Sequence, residues 1–599
     1  IEKNQKVYFR RDYKVPEKVA DREIAGSKAY LFIQCEDDAD VFVEGERAGA
    51  VHRNGEVFLG DDVQPGQVIR ITMTIKNKTD PGLMRYTSVR FSKLDQLKNR
   101  TSSFISQVES ISSFIGYADD PARWEKLLNE AAAQVDIDAY LAQDDVTYFA
   151  SLDRTRAVFE KFEPFFSKYD IYLTGYSHID LAWLWDWAEG RDVTRDTSRT
   201  MMQMMEMYPD FVYAQTQAHG YKWMEDDYPE IFEEIKQWYK KGRWELLGGT
   251  WSEHDSNVPS GEGLVRQFLY GKRYFRDKFG KDIIVAWTPD SFGYNWNLPQ
   301  IIAKSGCMGF LTQKINWNDT TRFPHHIFWW EGPDGTRMLT YFPVGGYGES
   351  VHGPTMLHQM KRIIEKHNVK ENYVIFGVGD HGGGCTRGHL ERARALENNP
   401  AFPNIHYTSA EDYFSHLHDV AGDPDSNIPV WKDELYLEYH RGTYTTQAET
   451  KKNNRELEIL MENAEKFAET ARILDPSTDY PAGKIFDGWY WVLLNHMHDI
   501  LPGSGIRAVY EDADRDYAKS RRYGNEVLGA ALDSIADKID TSGAGRPLVL
   551  FNALSWERDG IVKLPADSLD GNMRVSAPGG AAVPSQVIEE GGEKKLMFV

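Results

Sequence analysis

The first 95 residues alternate between apolar and polar side chains, as in "AYLFIQCEDDADVFVEGERAGAV" and "GQVIRITMTIKNKT". Turn-forming sequences such as "EGE" and "QPGQ" interrupt this alternation at short intervals. A period of two places every second side chain on the same face of a strand. We therefore predict antiparallel strands with one buried face, arranged as an N-terminal β-sandwich over residues 1–95.

Beyond this region the pattern changes four times. Residues 96–167 carry apolar positions at intervals of three and four, which predicts a helical linker region. Residues 168–428 alternate short apolar runs with longer amphipathic stretches, which favours a parallel sheet or an α/β barrel. Residues 429–542 are again helical and predict a bundle. Residues 543–599 return to strands and predict the beginning of a C-terminal β-domain in a longer natural protein.

Charge and composition limit the kinds of molecule that this protein is expected to bind. The chain has 599 residues and a formal net charge of −22, which disfavours nucleic acid and anionic membrane surfaces as partners. No apolar run approaches the ~18–20 residues of a membrane span. The three cysteines are few and far apart, which gives no disulfide framework and favours a reducing compartment. We expect a cytoplasmic protein, although a start at Ile1 leaves room for a removed leader.

Acids and histidines follow several of the predicted strands. His178 and Asp180 stand two residues apart after "IYLTG", so an extended chain aims both at one point. Asp290 follows the strand of "IIVAWTPD", and Asp380 lies in the glycine-rich turn "GVGDHGGG". Taken singly, each is typical of a core histidine or a turn aspartate. The carboxyl ends of strands meet at one edge of an α/β sheet or barrel, so we expect these side chains to converge.

A further pair of histidines lies near a helix end in "LLNHMHDILPGSG". His496 and His498 cannot serve one ligand from a regular helix, because positions i and i+2 point about 200° apart. One of them is therefore predicted to be structural. Two His and two Asp side chains form a donor set suited to zinc. The nearby indoles suit the apolar face of a sugar ring; they are Trp183, Trp185, Trp187, Trp287, Trp296 and Trp317.

Three other functions compete with a sugar-hydrolysing enzyme. The run Gly377–Gly382 matches G-x-G-x-x-G after a strand, as in dinucleotide-binding proteins. Asp380 inside that loop would repel a pyrophosphate, so we disfavour this reading. A metal-dependent polysaccharide deacetylase also combines His and Asp ligands, but it needs no nucleophilic carboxylate. A non-catalytic carbohydrate-binding protein would need no convergent acids.

Taken in register, nine segments resemble glycoside hydrolase family 38, the α-mannosidases, and especially its cytosolic-type and bacterial branch. The resemblance covers about residues 170–560. The segments are "HIDLAWLW", "GGTWSEHDSNVPSGEGLVRQFLYG", "WTPDSFGY", "LPQI", "FLTQKINWN", "FPHHIFWWEGPDG", "FGVGDHGGG", "ELYLEYHRGTYTTQAETKKNNRE" and "HDILPGSG".

The resemblance implies an α/β-plus-β multidomain fold: an N-terminal β-sandwich, a (β/α)7 catalytic barrel, a helical bundle and the start of a C-terminal β-sandwich. It also implies one zinc ion per chain. The metal ligands of the family fall on His178, Asp180, Asp290 and His498. His496 stands at a position that varies in the family and is left out.

The same resemblance assigns roles in a reaction. Asp290 matches the catalytic nucleophile, and Asp380 is the candidate acid/base because it is the only carboxylate of its loop. Trp183, Phe292 and Asp499 match substrate-binding positions. The implied activity is that of a retaining, exo-acting α-mannosidase that forms a glycosyl-Asp intermediate, with two carboxyls about 5–5.5 Å apart.

In that reaction the zinc ion would hold the 2- and 3-hydroxyls of mannose. The implied partner is therefore an α-mannoside, such as an oligosaccharide or an N-glycan-derived glycan. Similar proteins are commonly homo-oligomers. The resemblance leaves the linkage that is cut and the natural glycan open.

Overall fold

The computed structural model describes residues 6–76, 84–543, 545–566 and 574–599. These residues fall into two compact units. The first contains the chain up to Gln447 and the returning segment His496–Tyr510, and the second contains Ala448–Asn495 and the chain from Glu511 onward. All the candidate site residues belong to the first unit. No helix among the described residues is long and apolar enough to cross a membrane.

The N-terminal strands follow the alternation of the sequence. In the longest region of pairing, Leu31 and Ile33 face the core, while Tyr30 and Phe32 are partly exposed on the other face. The strands are β1 (Lys6–Lys14), β2 (Lys18–Val19), β3 (Arg22–Glu23), β4 (Ser27–Val43), β5 (Glu46–Val63), β6 (Val68–Lys76) and β7 (Met84–Phe91). Five of them form one antiparallel sheet of order β1-β6-β4-β5, with β7 also paired to β4. The sandwich stays a prediction, because the pairings give this sheet and the small β2–β3 pair.

Helices of different lengths connect this sheet to the next region. Helix α2 begins at a proline, and the Asp120 side chain caps it by accepting a hydrogen bond from the backbone N–H of Arg123. The helices are α1 (Ser92–Phe114), α2 (Pro121–Ala132), α3 (Ile137–Leu141), α4 (Asp145–Phe159) and α5 (Glu163–Phe166).

The central region alternates buried strands with helices. Its strands are β8 (Asp170–Tyr176), β9 (Tyr213–Gln215), β10 (Trp244–Leu246), β11 (Val285–Trp287), β12 (Gly309–Leu311), β13 (Ile327–Glu331), β14 (Arg337–Tyr341), β15 (Glu371–Phe376), β16 (Asn404–Tyr407) and β17 (Val430–Trp431). Its helices are α6 (Trp187–Met207), α7 (Ala218–Asp227), α8 (Pro229–Lys240), α9 (Gly261–Phe279), α10 (Leu298–Lys304), α11 (Gly353–His367), α12 (Arg387–Glu397) and α13 (Ala410–Gly422).

These strands pair as two sheets, one of order β10-β9-β8-β15 with β16 beside β8, and one of order β11-β12-β14-β13-β17. Strand β13 runs antiparallel to β14, which the sequence pattern does not indicate. Leaving out β13, β16 and β17, the parallel runs β8-β9-β10, β11-β12-β14 and β15-β8 follow the order that a barrel of seven parallel strands would have. The architecture is thus a curled, largely parallel α/β sheet, and the closed (β/α)7 barrel stays a prediction.

Three long helices follow, and then short strands. The helices are α14 (Ala448–Leu474), α15 (Ala482–Asn495) and α16 (Arg507–Ala536). The indole N–H of Trp489 on α15 donates to Glu465 on α14 at 2.5 Å, so a polar contact joins these two helices. The last strands are β18 (Val562–Pro565), β19 (Val575–Ser576), β20 (Ala582–Val583), β21 (Ser585–Glu590) and β22 (Glu593–Phe598).

Candidate active site

Polar side chains follow six parallel strands of the first unit, each in the loop beyond the carboxyl end of its strand, where α/β enzymes carry their chemistry. They are His178 and Asp180 after β8, Glu253 after β10, Asp290 after β11, Lys314 after β12, Tyr347 after β14 and Asp380 after β15. The segment that follows α15 brings His498 to the same place, because its backbone N–H donates to the carbonyl oxygen of Glu253 at 3.0 Å.

The two predicted imidazole ligands share one carboxylate. Oδ1 of Asp180 lies 2.8 Å from Nε2 of His178 and 3.1 Å from Nε2 of His498. All three side chains are buried. Burial lowers the pKa of His178, but the carboxylates of Glu253 and Asp180 raise it by more, so it lies well above its ordinary value. The surrounding negative charge therefore favours a cation at this point.

The predicted nucleophile lies beside the same histidine. Oδ2 of Asp290 is 3.5 Å from Nε2 of His498, and its Oδ1 accepts a hydrogen bond from the Lys314 ammonium at 2.7 Å. Burial would raise the pKa of Asp290, but His498 and Lys314 lower it well below its usual range. Asp290 is therefore ionised near neutral pH, as a nucleophilic carboxylate must be.

The donor set fits a metal ion. His178, Asp290 and His498 offer three ligand atoms within 4.8 Å of one another, and Asp180 belongs to a second group with His498 and a third with His178. Among the described residues, Nε2 of His498 has no well-directed hydrogen-bond partner, although it is fully buried. Two imidazoles and two carboxylates suit zinc, so the four predicted ligands are compatible with that ion.

Asp380 stands at the edge of this cluster. Its Oδ1 accepts a hydrogen bond from the Tyr347 hydroxyl at 2.9 Å, and its carbonyl oxygen accepts one from the N–H of Asp180 at 2.9 Å. The loop reaches this position because Gly377 has a φ of +144°, and a Cβ there would come within 2.0 Å of the Tyr176 carbonyl oxygen. Only glycine fits so close to β8.

The predicted substrate-binding residues flank the cluster. Phe292 is buried, with its ring 5.7 Å from that of His498. Asp499 is also buried, and this burial together with the charge of Asp180 raises the pKa of Asp499 to about 7. Trp183 is half-buried. Its backbone carbonyl oxygen accepts a hydrogen bond from the N–H of Ile506 at 2.8 Å, which ties Trp183 to the segment that carries His498.

An aromatic rim, formed by Trp317, Tyr439 and His440, continues from Phe292 toward solvent. The His440 ring lies 4.5 Å from Phe292 and 6.2 Å from Trp317, and Tyr439 lies 6.5 Å from Trp317. Trp317 is 50% exposed and Tyr439 is 63% exposed. Flat, exposed rings beside a polar cluster suit carbohydrate.

The structure keeps His496 apart from these groups. Its carbonyl oxygen accepts a hydrogen bond from the N–H of Asp255 at 2.7 Å, and it belongs to none of the metal-binding groups among the described residues. A structural role for His496 stays a prediction.

Sequence reasoning missed three residues of the cluster: Glu253, Lys314 and Tyr347. Glu253 and Lys314 lie within "WSEHDSN" and "FLTQKIN", each in the segment that follows a strand. This position could have marked them as candidate site residues. Tyr347 lies further along the loop after β14, and its hydroxyl meets Asp380 only through the fold.

Comparison with known proteins bears on this geometry. Residues 168–434 match the model of the glycosyl hydrolases family 38 N-terminal domain, and residues 438–535 match that of the alpha mannosidase middle domain. The human protein alpha-mannosidase 2C1 is 38% identical over 405 residues, which are 67% of this chain and 38% of the human protein. The alpha-mannosidase of Saccharomyces cerevisiae is 36% identical over 372 residues, which are 61% of this chain and 34% of the yeast protein.

This chain belongs to glycoside hydrolase family 38. The first family match contains His178, Asp180, Asp290 and Asp380, and the second contains His498. The chain spans little more than a third of the length of the human and yeast relatives.

A solved structure shares the family-38 fold. The crystal structure of an alpha-mannosidase from Enterococcus faecalis superposes with a TM-score of 0.60, covering 72% of this chain and 54% of that one. The two sequences are 18% identical, so this likeness concerns the fold alone.

Proposed function

We propose that this chain is a retaining, exo-acting α-mannosidase that removes terminal α-linked mannose from oligosaccharides or N-glycan-derived glycans. One observation carries the proposal: a buried carboxylate, Asp290, meets two imidazoles and a second carboxylate at the strand ends, and the Asp380 loop borders the same cluster. The names of the human and yeast relatives support mannose as the sugar.

His178, Asp180, Asp290 and His498 would hold a zinc ion. When bound, zinc would supply Lewis-acid coordination of the 2- and 3-hydroxyls of mannose, which selects for an axial 2-hydroxyl. The buried Nε2 atom of His498 and the excess of carboxylates support a cation at this point.

Asp290 would attack the anomeric carbon and form the glycosyl-Asp intermediate. Its ionised state is supported by Lys314, which holds Oδ1 at 2.7 Å while Oδ2 faces His498. A fixed ammonium at this position also orients the carboxylate before attack, so that little reorganisation is needed.

Asp380 would protonate the leaving oxygen and later activate water. The Tyr347 hydroxyl fixes one of its carboxyl oxygens. The neighbouring His381 is the other titratable group of the loop, and its Nε2 lies 2.8 Å from Glu189 while its ring packs on Trp185. Because His381 is engaged with Glu189 and Trp185, we favour Asp380 over His381 as the acid.

Trp183 and Phe292 would carry the mannose ring, and Asp499 would accept hydrogen bonds from its hydroxyls. The aromatic rim would receive the remainder of the glycan. Its exposed rings beside the polar cluster support a substrate longer than a single sugar.

The decisive experiment measures hydrolysis of 4-nitrophenyl α-mannoside beside the α-glucoside and the β-mannoside, before and after chelation and with zinc returned. We expect turnover of the α-mannoside alone, lost on chelation and restored by zinc. Absence of turnover with zinc bound would overturn the proposal for this chain. Acetylated sugars, tested in parallel, would then reveal a deacetylase.

A further inference from the structure

Glu253 has no role in the proposed reaction, yet it contacts three residues that do. It lies in the loop after β10 and is fully buried. Its backbone N–H donates to Oε1 of Gln217 at 3.0 Å, and Nε2 of Gln217 donates to the carbonyl oxygen of Ile179 at 2.7 Å. Gln217 thus links the Glu253 backbone to the segment that carries His178 and Asp180.

One oxygen of the Glu253 side chain faces His178. Its Oε2 lies 3.1 Å from Nδ1 of the imidazole, while Nε2 of the same ring points to Asp180. Among the described residues, neither Oε2 nor Nδ1 has a well-directed hydrogen-bond partner, so the ion-pair contact with the other atom is the interaction available to each. A carboxylate at Nδ1 fixes the tautomer and the ring orientation of a metal-binding histidine and makes its other nitrogen a better donor.

The second oxygen holds the nucleophile. Oε1 of Glu253 accepts a hydrogen bond from the backbone N–H of Asp290 at 2.7 Å. One carboxylate therefore bridges the loop after β8 and the loop after β11. This bridge is therefore one of the contacts that fix His178 relative to Asp290.

The main chain of Glu253 holds the remaining imidazole. Its carbonyl oxygen accepts hydrogen bonds from the backbone N–H of His498 at 3.0 Å and from Nδ1 of the same residue at 3.1 Å. Nε2 of His498 is thereby turned toward Asp180 and Asp290. These backbone contacts remain when the side chain is changed, so a substitution isolates what the carboxylate does.

We propose that Glu253 is a positioning residue that orients His178 toward the metal and fixes the Asp290 loop at the distance the site requires. The inference rests on the proposed function, since it assumes that His178 and Asp290 bind one ion. A second-layer carboxylate of this kind contributes about 10–100-fold in metal affinity.

The chain offers a matched control for the loss of a buried carboxylate. Glu245 on β10 is also largely buried, and its two oxygens accept backbone N–H groups of Ala410 and Glu411 at 2.8 and 3.0 Å. These partners begin α13 and are not part of the candidate site. A purely structural role for Glu253 predicts that the two glutamates respond alike.

The experiment compares Glu253→Gln and Glu245→Gln in the full chain. Zinc affinity is measured by competition with a chromophoric chelator, the visible absorption of the cobalt(II)-substituted protein reports the ligand field, and thermal unfolding verifies the fold. We expect zinc affinity about 10–100-fold weaker and an altered cobalt spectrum in Glu253→Gln, with wild-type values in Glu245→Gln. At saturating zinc, kcat of Glu253→Gln should remain below wild type, because the Asp290 loop has lost its charged acceptor.

Wild-type zinc affinity and cobalt spectrum in a folded Glu253→Gln protein would overturn the inference, as would equal losses in both variants. If Glu253→Gln does not fold, Glu253→Asp is used, whose shorter side chain keeps the charge but cannot reach both partners; unchanged zinc affinity there would equally overturn it. The affinity measurement needs no turnover. A wild-type protein that binds zinc but cleaves no mannoside would therefore refute the proposed function without deciding the role of Glu253.

Discussion

The Lys314 ammonium lies 2.7 Å from Oδ1 of Asp290 and 4.2 Å from the centre of the Trp317 ring. One buried cation thus joins the proposed nucleophile to the aromatic rim. We expect Lys314→Met to lower kcat/KM by about 10²-fold, because a preorganised charge at the reacting carboxylate is lost. Lys314→Arg keeps the charge and should retain more activity. Wild-type kcat/KM in Lys314→Met would remove Lys314 from the mechanism.

Asp290→Asn should abolish turnover. The amide keeps a hydrogen-bond acceptor for Lys314 but cannot form a stable glycosyl ester, so kcat should fall by roughly 10⁴-fold or more. The measurement is 4-nitrophenyl α-mannoside hydrolysis at saturating zinc, with the thermal midpoint as the control for folding. Activity near wild type would rule out Asp290 as the nucleophile.

Asp380→Ala should produce a loss that depends on the leaving group. An unactivated mannobiose needs protonation of its leaving oxygen and should slow by about 10²–10⁴-fold. A dinitrophenyl mannoside leaves without protonation and should slow far less. Tyr347→Phe removes only the hydrogen bond to Asp380. It should also slow mannobiose more than the dinitrophenyl mannoside, but by a smaller factor. Equal losses on both substrates would argue against Asp380 as the acid.

Trp317→Ala tests the aromatic rim. A sugar stacked on an indole gains on the order of 1 kcal/mol, so kcat/KM for a mannotriose should fall several-fold. The value for 4-nitrophenyl α-mannoside should change much less, since the proposed contacts of the mannose itself are with Trp183 and Phe292. Leu184→Ala, at another exposed apolar position, serves as the control. Equal changes on both substrates would remove the rim from glycan binding.

We expect the buried carboxyl of Glu245 to make the free energy of unfolding depend on pH. Burial raises the pKa of its carboxyl to about 7 from an ordinary 4.5, so the native state binds the proton more tightly than the unfolded chain. The free energy of unfolding should therefore fall as pH rises from about 4.5 to 7. The difference between these pKa values corresponds to about 3 kcal/mol.

Glu245→Gln carries no charge and should lose this dependence, gaining stability relative to wild type at pH 8 but not at pH 4. Urea unfolding of both proteins at these two pH values measures the effect. A constant difference between the proteins at both values would contradict the assigned pKa.

Much of the candidate site could be predicted from the sequence, because its residues stand just past strands whose apolar runs are short and distinct. His178, Asp180, Asp290 and His498 meet as the family resemblance implies. Glu253 could not be assigned a role, since its importance comes from bonds to three separate segments. The pattern of apolar and polar residues within one segment does not indicate hydrogen bonds to distant segments. The same limit hides the antiparallel strand β13, whose apolar run looks like that of a parallel strand.

Asp180 and His498 are more than 300 positions apart along the chain, and the whole of α14 and α15 lies before His498. During synthesis, the strands β8–β15 can pair long before the second imidazole exists. The ion-binding cluster is therefore complete only after the chain has passed residue 498 and returned to the Glu253 loop. An ion held by both imidazoles therefore requires that this late segment of the chain has reached the Glu253 loop.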